Sequence, residues 1–208
     1  MKRLAFTAAI GLLSIGALCA QEAPRFTFDI GGGFTEPLGN TGRHVDQGWN
    51  IGGGLGMNFI PYLGANINLN YNSFGINSAT LSNIGVPGGG MHVFSATFDP
   101  IIHLNPKGHV DLYVTGGGGL YHRIVDFTQP SVAVVPGFDP FFGFFPVAIP
   151  TTQILSSYSV NKPGIDVGAG VAFGTRFHGK IFAEARYNRI FMGSFHTDYI
   201  PVTFGFRW

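Results

Sequence analysis

The chain has 208 residues, and only 11% of them are charged, against about 25% in an average soluble domain. Twelve basic and eleven acidic residues leave almost no net charge, which argues against electrostatic capture of nucleic acid. Cys19 is the single cysteine, so a disulfide framework and a thiolate metal site are excluded.

The N-terminal segment has the layout of a secretory signal peptide. A basic start and an apolar stretch over residues 4–18 precede the small residues Cys19 and Ala20. An uncleaved anchor is the alternative, but the apolar run is shorter than the ~20 residues that a spanning helix needs. We therefore predict a signal peptide over residues 1–20 and one mature domain over residues 21–208.

Apolar residues alternate with small or polar residues through most of the remaining chain. In the clearest example, Leu63, Ala65, Ile67, Leu69 and Tyr71 form one row. One glycine and four asparagines form the row between and after them. Successive side chains of a strand point to opposite faces, so this segment is predicted to be a strand with one apolar face.

The same alternation predicts about eight strands along the chain. They cover residues 26–34, 49–59, 62–72, 94–99, 110–120, 165–174, 181–188 and 200–208. Short turns are expected at residues 60–61, 105–109 and 175–180, and long loops at residues 36–48, 73–90, 128–162 and 193–197. An even strand number, with short turns on one side and long loops on the other, is typical of an antiparallel up-and-down transmembrane barrel.

The orientation of the two faces follows from their chemistry. A soluble barrel would bury its apolar row and expose the other row to water. Here the second row is mostly Gly, Asn, Thr and Ser, which suits a narrow, hydrogen-bonded lumen. We therefore predict an all-β fold: an eight-stranded barrel whose apolar row faces lipid and whose closure satisfies every backbone group.

The last ten residues, Tyr199 to Trp208, alternate hydrophobic side chains and end on an aromatic one. This ending resembles the terminal strand of bacterial outer-membrane proteins, and residues 25–208 resemble the small OmpA-like transmembrane barrels. The resemblance implies a Gram-negative outer membrane, with loops extracellular, termini periplasmic, and lipid and lipopolysaccharide as neighbours. It also implies that the barrel-assembly machinery recognises Phe204, Phe206 and Trp208. The peptidoglycan-binding domain of OmpA proteins is not covered by the resemblance.

Seven charged residues fall on the predicted inward rows. They are Asp29, Asp99, Asp111, Asp166, Glu184, Arg186 and Arg207. A narrow lumen desolvates charges, so they should pair, either as a network that plugs the barrel or as the lining of a narrow, porin-like channel for small solutes. Because side chains fill barrels of about eight strands, the plug is favoured. Arg186 should contact at least one of Glu184, Asp29 and Asp99, since a guanidinium can bridge carboxylates.

The predicted loop over residues 128–162 is rich in apolar residues and prolines. Its candidate contact residues are Phe138, Phe141, Phe142, Phe144 and Phe145. Exposed apolar patches usually mark a contact site, which here would serve adhesion or the docking of an apolar partner. Alternatively, the segment folds over the barrel mouth or extends as a hairpin above the membrane.

No motif in the sequence points to a cofactor, a metal or a catalytic group. The glycines at 116–119 and 168–174 lack the flanking residues of nucleotide-binding loops. His92 and His122 lie on the outward row near the rim, where some outer-membrane enzymes modify lipid A. No serine is adjacent to His122, however, and Ser95 is predicted to point inward. We therefore predict a non-enzymatic structural or surface-interaction protein, with a narrow channel and a lipid-modifying enzyme as the alternatives.

Overall fold

The computed structural model describes residues 26–174 and 179–208, so the predicted signal peptide lies outside the described part. Eight antiparallel strands form a closed barrel in sequence order. They are β1 (Phe26–Leu38), β2 (Gly48–Ile60), β3 (Leu63–Gly75), β4 (Gly88–His103), β5 (Val110–Asp139), β6 (Gly143–Gly174), β7 (Lys180–Phe191) and β8 (His196–Arg207). The predicted eight-stranded up-and-down barrel is confirmed.

Two short helices lie in the connections between strands. A 3-10 helix (Thr41–Arg43) links β1 to β2, and helix α1 (Ser78–Ile84) links β3 to β4. Asn77 caps α1 by accepting a hydrogen bond from the backbone N–H of Thr80, as N-cap residues commonly do. Within the described ranges, no helix is long and apolar enough to cross a membrane.

The ring closes between the first and last strands. β1 and β8 pair from Asp29 opposite Arg207 to Leu38 opposite Asp198. Beyond this ladder, Trp208 and Phe28 each donate a backbone hydrogen bond to the other, at 2.9 and 2.7 Å. Closure therefore removes the unpaired edges that an open sheet would present.

The alternating rows face opposite sides of the wall. The apolar row is exposed on the outside, and its members include Phe28, Leu55, Ile67, Phe98 and Leu120. The other row is buried in the lumen, and its members include Asn50, Asn66, Asn68, Asn72 and Thr97. Glycines on the inner wall make room for large side chains: a Cβ on Gly170 would lie 2.4 Å from the ring of Tyr113.

The two ends of the barrel differ in the length of their connections. The turn end carries the β2–β3 turn at residues 61–62, the β4–β5 turn at residues 104–109, the start of β1 and the end of β8. The hairpin end carries both short helices and the long β5–β6 hairpin. Strands at this end are longer than predicted, since β1 continues to Leu38 and β4 begins at Gly88. The predicted turn at 175–180 lies mostly outside the described residues.

Residues 128–162 are not the loop that was predicted first; they form the extended hairpin that was the alternative. These residues form the outer halves of β5 and β6, which continue as a two-stranded hairpin beyond the barrel. β4 pairs with β5 only as far as Thr128, and β7 pairs with β6 only from Gly164. The prolines do not break the ladder because Pro136 lies opposite Pro146, a pair that needs no donor from either residue.

Candidate functional site

Arg186 on β7 is the centre of a charged cluster inside the lumen. Its Nη1 atom donates to Asp99 Oδ2 on β4 at 2.6 Å and to Asp166 Oδ2 on β6 at 3.0 Å. Its Nε and Nη2 atoms both donate to Glu184 Oε1, at 3.0 and 2.7 Å. One guanidinium therefore holds three carboxylates, and Asp29, the other predicted partner, is not among these contacts.

The contact between Arg186 and Asp99 crosses the lumen. β4 and β7 are not neighbours in the ring, because β5 and β6 lie between them. Asp99 is completely buried and also accepts hydrogen bonds from Thr97 Oγ1, at 2.7 Å, and from Asn68 Nδ2. The cluster therefore links two strands that are not neighbours in the barrel, and polar side chains from β3 and β4 support it.

The remaining predicted charges form two separate groups nearer the turn end. Arg207 Nε lies 3.4 Å from Asp29 Oδ2, and the guanidinium lies over the rings of Tyr113 and Phe182. Asp111 Oδ2 lies 2.7 Å from His103 Nδ1 and 3.1 Å from Lys180 Nζ.

The structure thus divides the seven predicted charges into three groups. Two partners in these groups, His103 and Lys180, were not predicted from the sequence. The alternation of side chains along each strand could have indicated both residues. His103 shares the inward row of β4 with Asp99, and Lys180 shares the inward row of β7 with Glu184 and Arg186.

A small polar cavity remains inside the lumen, with a volume of about 40 Å³. Its polar lining includes Asp29, Asn50, Asn68, Asn70, Asn72, Glu184 and Arg207. A buried water needs at least about 10–15 Å³ of such volume, so the cavity has room for a few water molecules.

An apolar layer that was not predicted from the sequence lies inside the lumen at the hairpin end. Its buried residues are Val45, Phe74, Ile76, Met91, Val93, Tyr121, Ile190 and Tyr199. Val45 and Ile76 pair as an isolated bridge that joins the β1–β2 and β3–β4 connections over the mouth. The sequence could have indicated this layer, since Met91, Val93 and Tyr121 place large side chains on the inward rows of β4 and β5.

The β5–β6 hairpin ends in an ordered aromatic turn. Asp139 Oδ1 accepts hydrogen bonds from the N–H groups of Phe141 (2.8 Å) and Phe142 (3.1 Å). Pro140 restricts the backbone, and Gly143 adopts a φ of 74°, which favours glycine. Phe141 and Phe142 are 90% and 88% exposed. Local hydrogen bonds therefore define the turn while its aromatic side chains remain in solvent.

The other three predicted contact residues lie on the strands below this turn. Phe138 and Phe144 are cross-strand neighbours with ring centroids 5.2 Å apart, and both are exposed. Phe145 is also exposed but lies on the opposite face of the hairpin.

The three predicted assembly residues, Phe204, Phe206 and Trp208, project from the outer wall near the turn end.

A serine, a histidine and an aspartate meet on the outer wall near the hairpin end. His92 Nδ1 lies 3.1 Å from Ser73 Oγ and 2.9 Å from Tyr71 Oη, and His92 Nε2 lies 3.9 Å from Asp126 Oδ2. Ser73 was overlooked because only the cross-strand register of β3 and β4 brings it opposite His92. His122 instead contacts Asn161 at 2.6 Å, and Ser95 is buried on the inward row.

Comparison with known proteins identifies the family. Residues 5–207 match the family described as outer membrane protein beta-barrel domain, and the chain therefore belongs to it. The family places this chain in the outer membrane. No curated protein matches the chain at a significant level.

Several solved structures share the architecture. Neisserial surface protein A is 14% identical and covers 90% of this chain and 98% of its own, with a TM-score of 0.57, which shows the fold alone. Ail of Yersinia pestis is 18% identical over 88% of this chain and 97% of its own, with a TM-score of 0.49. OprG of Pseudomonas aeruginosa is 12% identical over 87% and 94%, also with a TM-score of 0.49.

Proposed function

We propose that this protein is a non-enzymatic surface-interaction barrel that contacts an apolar partner through its β5–β6 hairpin. The observation that carries the proposal is the exposure of Phe141 and Phe142 on a turn held by Asp139. Large exposed apolar patches usually mark contact sites, and a preformed turn lowers the entropic cost of binding. Adhesion or docking at the cell surface is the role that this geometry supports best.

The proposed role requires the hairpin to face outward from the cell. In bacterial outer-membrane barrels, short turns face the periplasm and long connections face the exterior. The turn end would then be periplasmic, with both chain termini, and the hairpin end would be extracellular. Outer-membrane lipid and lipopolysaccharide would surround the apolar outer wall.

We further propose that the lumen is plugged by side chains. Support comes from Arg186, which bridges β4 and β7, and from the apolar layer that fills the lumen at the hairpin end. A protein with this interior should show no steady conductance steps in planar bilayers. Such steps from the unmodified protein would favour the alternative of a narrow channel.

Shortening the hairpin should reduce surface attachment while leaving the barrel assembled. Residues 130–152 can be replaced by Asn-Gly, because Gln129 and Gln153 form a cross-strand pair that a two-residue turn can join. We expect at least about tenfold lower retention of producing cells on alkyl-coated glass and on cell monolayers, since several exposed phenylalanines are lost.

The matched control keeps the hairpin at full length and replaces its polar base pair, as Gln129→Ser with Gln153→Ser. Retention of these cells should equal that of the unmodified strain. Equal retention of the shortened variant, at equal levels of assembled protein, would contradict the proposed role.

A second candidate function, modification of an outer-membrane lipid, has one specific observation in its favour. Ser73 and Asp126 approach different ring nitrogens of His92, as the nucleophile and the orienting carboxylate do in a catalytic triad. The distance of 3.9 Å to Asp126 exceeds a hydrogen bond, and Tyr71 shares the same nitrogen as Ser73. The arrangement is therefore weaker support than the hairpin turn.

If this second function is correct, producing the protein alone should change the acylation of lipid A, as read by mass spectrometry. Ser73→Ala should then lower the rate at least about 1000-fold, because removing a triad nucleophile abolishes most catalysis. Ser82→Ala, in α1, is the matched control and should leave the change intact. An unaltered lipid A profile would remove this candidate.

A further inference from the structure

We propose that the aromatic turn of the β5–β6 hairpin inserts into the apolar layer of a second lipid bilayer facing the cell. This inference rests on the proposed function and names its partner: a lipid membrane rather than a protein. The inserting group consists of Phe138, Phe141, Phe142 and Phe144, which are between 65% and 90% exposed.

The charge distribution along the hairpin suits an apolar medium. Between Asp126 and Lys162, Asp139 is the only charged residue in the sequence. A protein interface usually has a polar rim with about one hydrogen bond per 100–200 Å², but this turn offers few polar side chains for such a rim. A lipid bilayer requires no matching hydrogen-bond pattern from its partner.

One face of the hairpin is apolar except for Thr152 at its base. Its exposed members are Pro130, Val132, Val134, Pro136 and Phe138 on β5, with Phe144, Pro146, Ala148 and Pro150 on β6. These residues share one side because side chains alternate along each strand and even positions pair with even positions. The apolar turn is thus continuous with an apolar surface that can follow it to the bilayer boundary.

Several backbone donors of the hairpin are absent or are satisfied locally, which lowers the cost of insertion. Hydrocarbon cannot hydrogen-bond to exposed N–H groups, so each unsatisfied donor is costly there. At the turn, Asp139 accepts from the N–H groups of Phe141 and Phe142. Along the two free edges, outward-facing N–H positions fall on the row of Pro136 and Pro146, since this facing pair cannot donate within the ladder. Proline removes the donor at four of these positions, which also include 130 and 150.

The length of the hairpin places its turn far from the protein's own membrane, so the membrane that it reaches would be a facing one. Residues 129–139 continue β5 past its last partner on β4, which extends the strand by about 36 Å at about 3.3 Å per residue. At the tilt of about 45° that is usual for such strands, the turn would lie about 25 Å beyond the barrel rim. A turn at this height is directed away from the protein's own membrane.

Protein-free vesicles test the inference directly. The mature chain, embedded in lipid nanodiscs, is mixed with phosphatidylcholine vesicles whose acyl chains are brominated, and co-flotation is measured. We expect the unmodified protein to float with the vesicles and Phe141→Ser with Phe142→Ser to bind at least about tenfold more weakly. The control, Ile154→Ser with Tyr158→Ser, changes two other large exposed residues at the hairpin base and should bind within about twofold of the unmodified protein.

Insertion is measured separately by fluorescence. In the Phe142→Trp variant, the new side chain should be quenched by the brominated vesicles, whereas Trp49 and Trp208 lie on the barrel wall inside the nanodisc and should not be. Asp139→Asn, which keeps the acceptor oxygen but removes the charge, should bind vesicles at least as well as the unmodified chain. Vesicle binding that is unchanged by the two serine substitutions at the turn, or an unquenched Trp at position 142, would overturn the inference.

The outcomes also separate this inference from the proposed function. If the turn is needed for attachment to cells but protein-free vesicles are not bound, the partner is a protein and only the lipid inference fails. If the turn is needed for neither, the proposed surface-interaction role fails as well.

Discussion

Replacing Arg186 with Ala should lower the free energy of unfolding by about 3–5 kcal/mol, because removing one partner leaves buried charges uncompensated. Asp99, Asp166 and Glu184 would lose the cation that they share. Urea unfolding in detergent, followed by tryptophan fluorescence, measures the change. Arg186→Lys should recover only part of it, since an ammonium is a point charge without the planar fork of donors.

Arg189 provides the matched control on the same strand. It pairs with Asp198 at 2.9 Å, but its side chain is 39% exposed. Exposed ion pairs contribute roughly 0–1 kcal/mol, so Arg189→Ala should cost much less than Arg186→Ala. Equal effects of the two substitutions would contradict the idea that burial makes the Arg186 cluster important.

The Arg186→Ala variant also tests the proposal that side chains plug the lumen. Without Arg186, the cluster loses the contact that links β4 to β7 across the lumen, so ions should enter the lumen more readily. We expect conductance steps in planar bilayers from Arg186→Ala and none from the unmodified protein or from Arg189→Ala.

Replacing Phe206 and Trp208 with Ser should lower the amount of assembled protein in the outer membrane at least about tenfold. Both side chains project from the outer wall near the turn end, where aromatic residues anchor barrels at the membrane interface. The family resemblance also assigns recognition by the barrel-assembly machinery to this strand. Gel migration of unboiled outer-membrane fractions measures the assembled form.

The serine substitutions at Phe141 and Phe142 are a matched control for assembly. They remove the same number of exposed aromatic side chains, but from the hairpin turn instead of the barrel wall. Assembly of this control should be normal. A normal level of the Phe206 and Trp208 variant, or an equal loss in the control, would contradict a specific role of the last strand.

Strand number and the facing of each row followed from local information. The two-residue period of a strand is independent of its neighbours, so the row of Leu63, Ile67 and Tyr71 could be separated from the asparagine row before any pairing was known. The apolar chemistry of that row then assigned it to the outer face. The hairpin could not be assigned in this way. Pro136 and Pro146 are typical of loops, and only their register as facing residues makes them compatible with a ladder.

For the candidate sites, too, some features followed from the sequence and others only from the tertiary structure. The sequence by itself determined that seven charges share the inward rows, because row membership depends only on position along a strand: Asp29, Asp99, Asp111, Asp166, Glu184, Arg186 and Arg207. Only the tertiary structure decided that Asp29 pairs with Arg207, and that Arg186 reaches across to Asp99. It also brought Ser73 beside His92 and directed the hairpin away from the barrel. These outcomes depend on ring closure and on the register between strands, which are set by all eight strands together and not by any one segment.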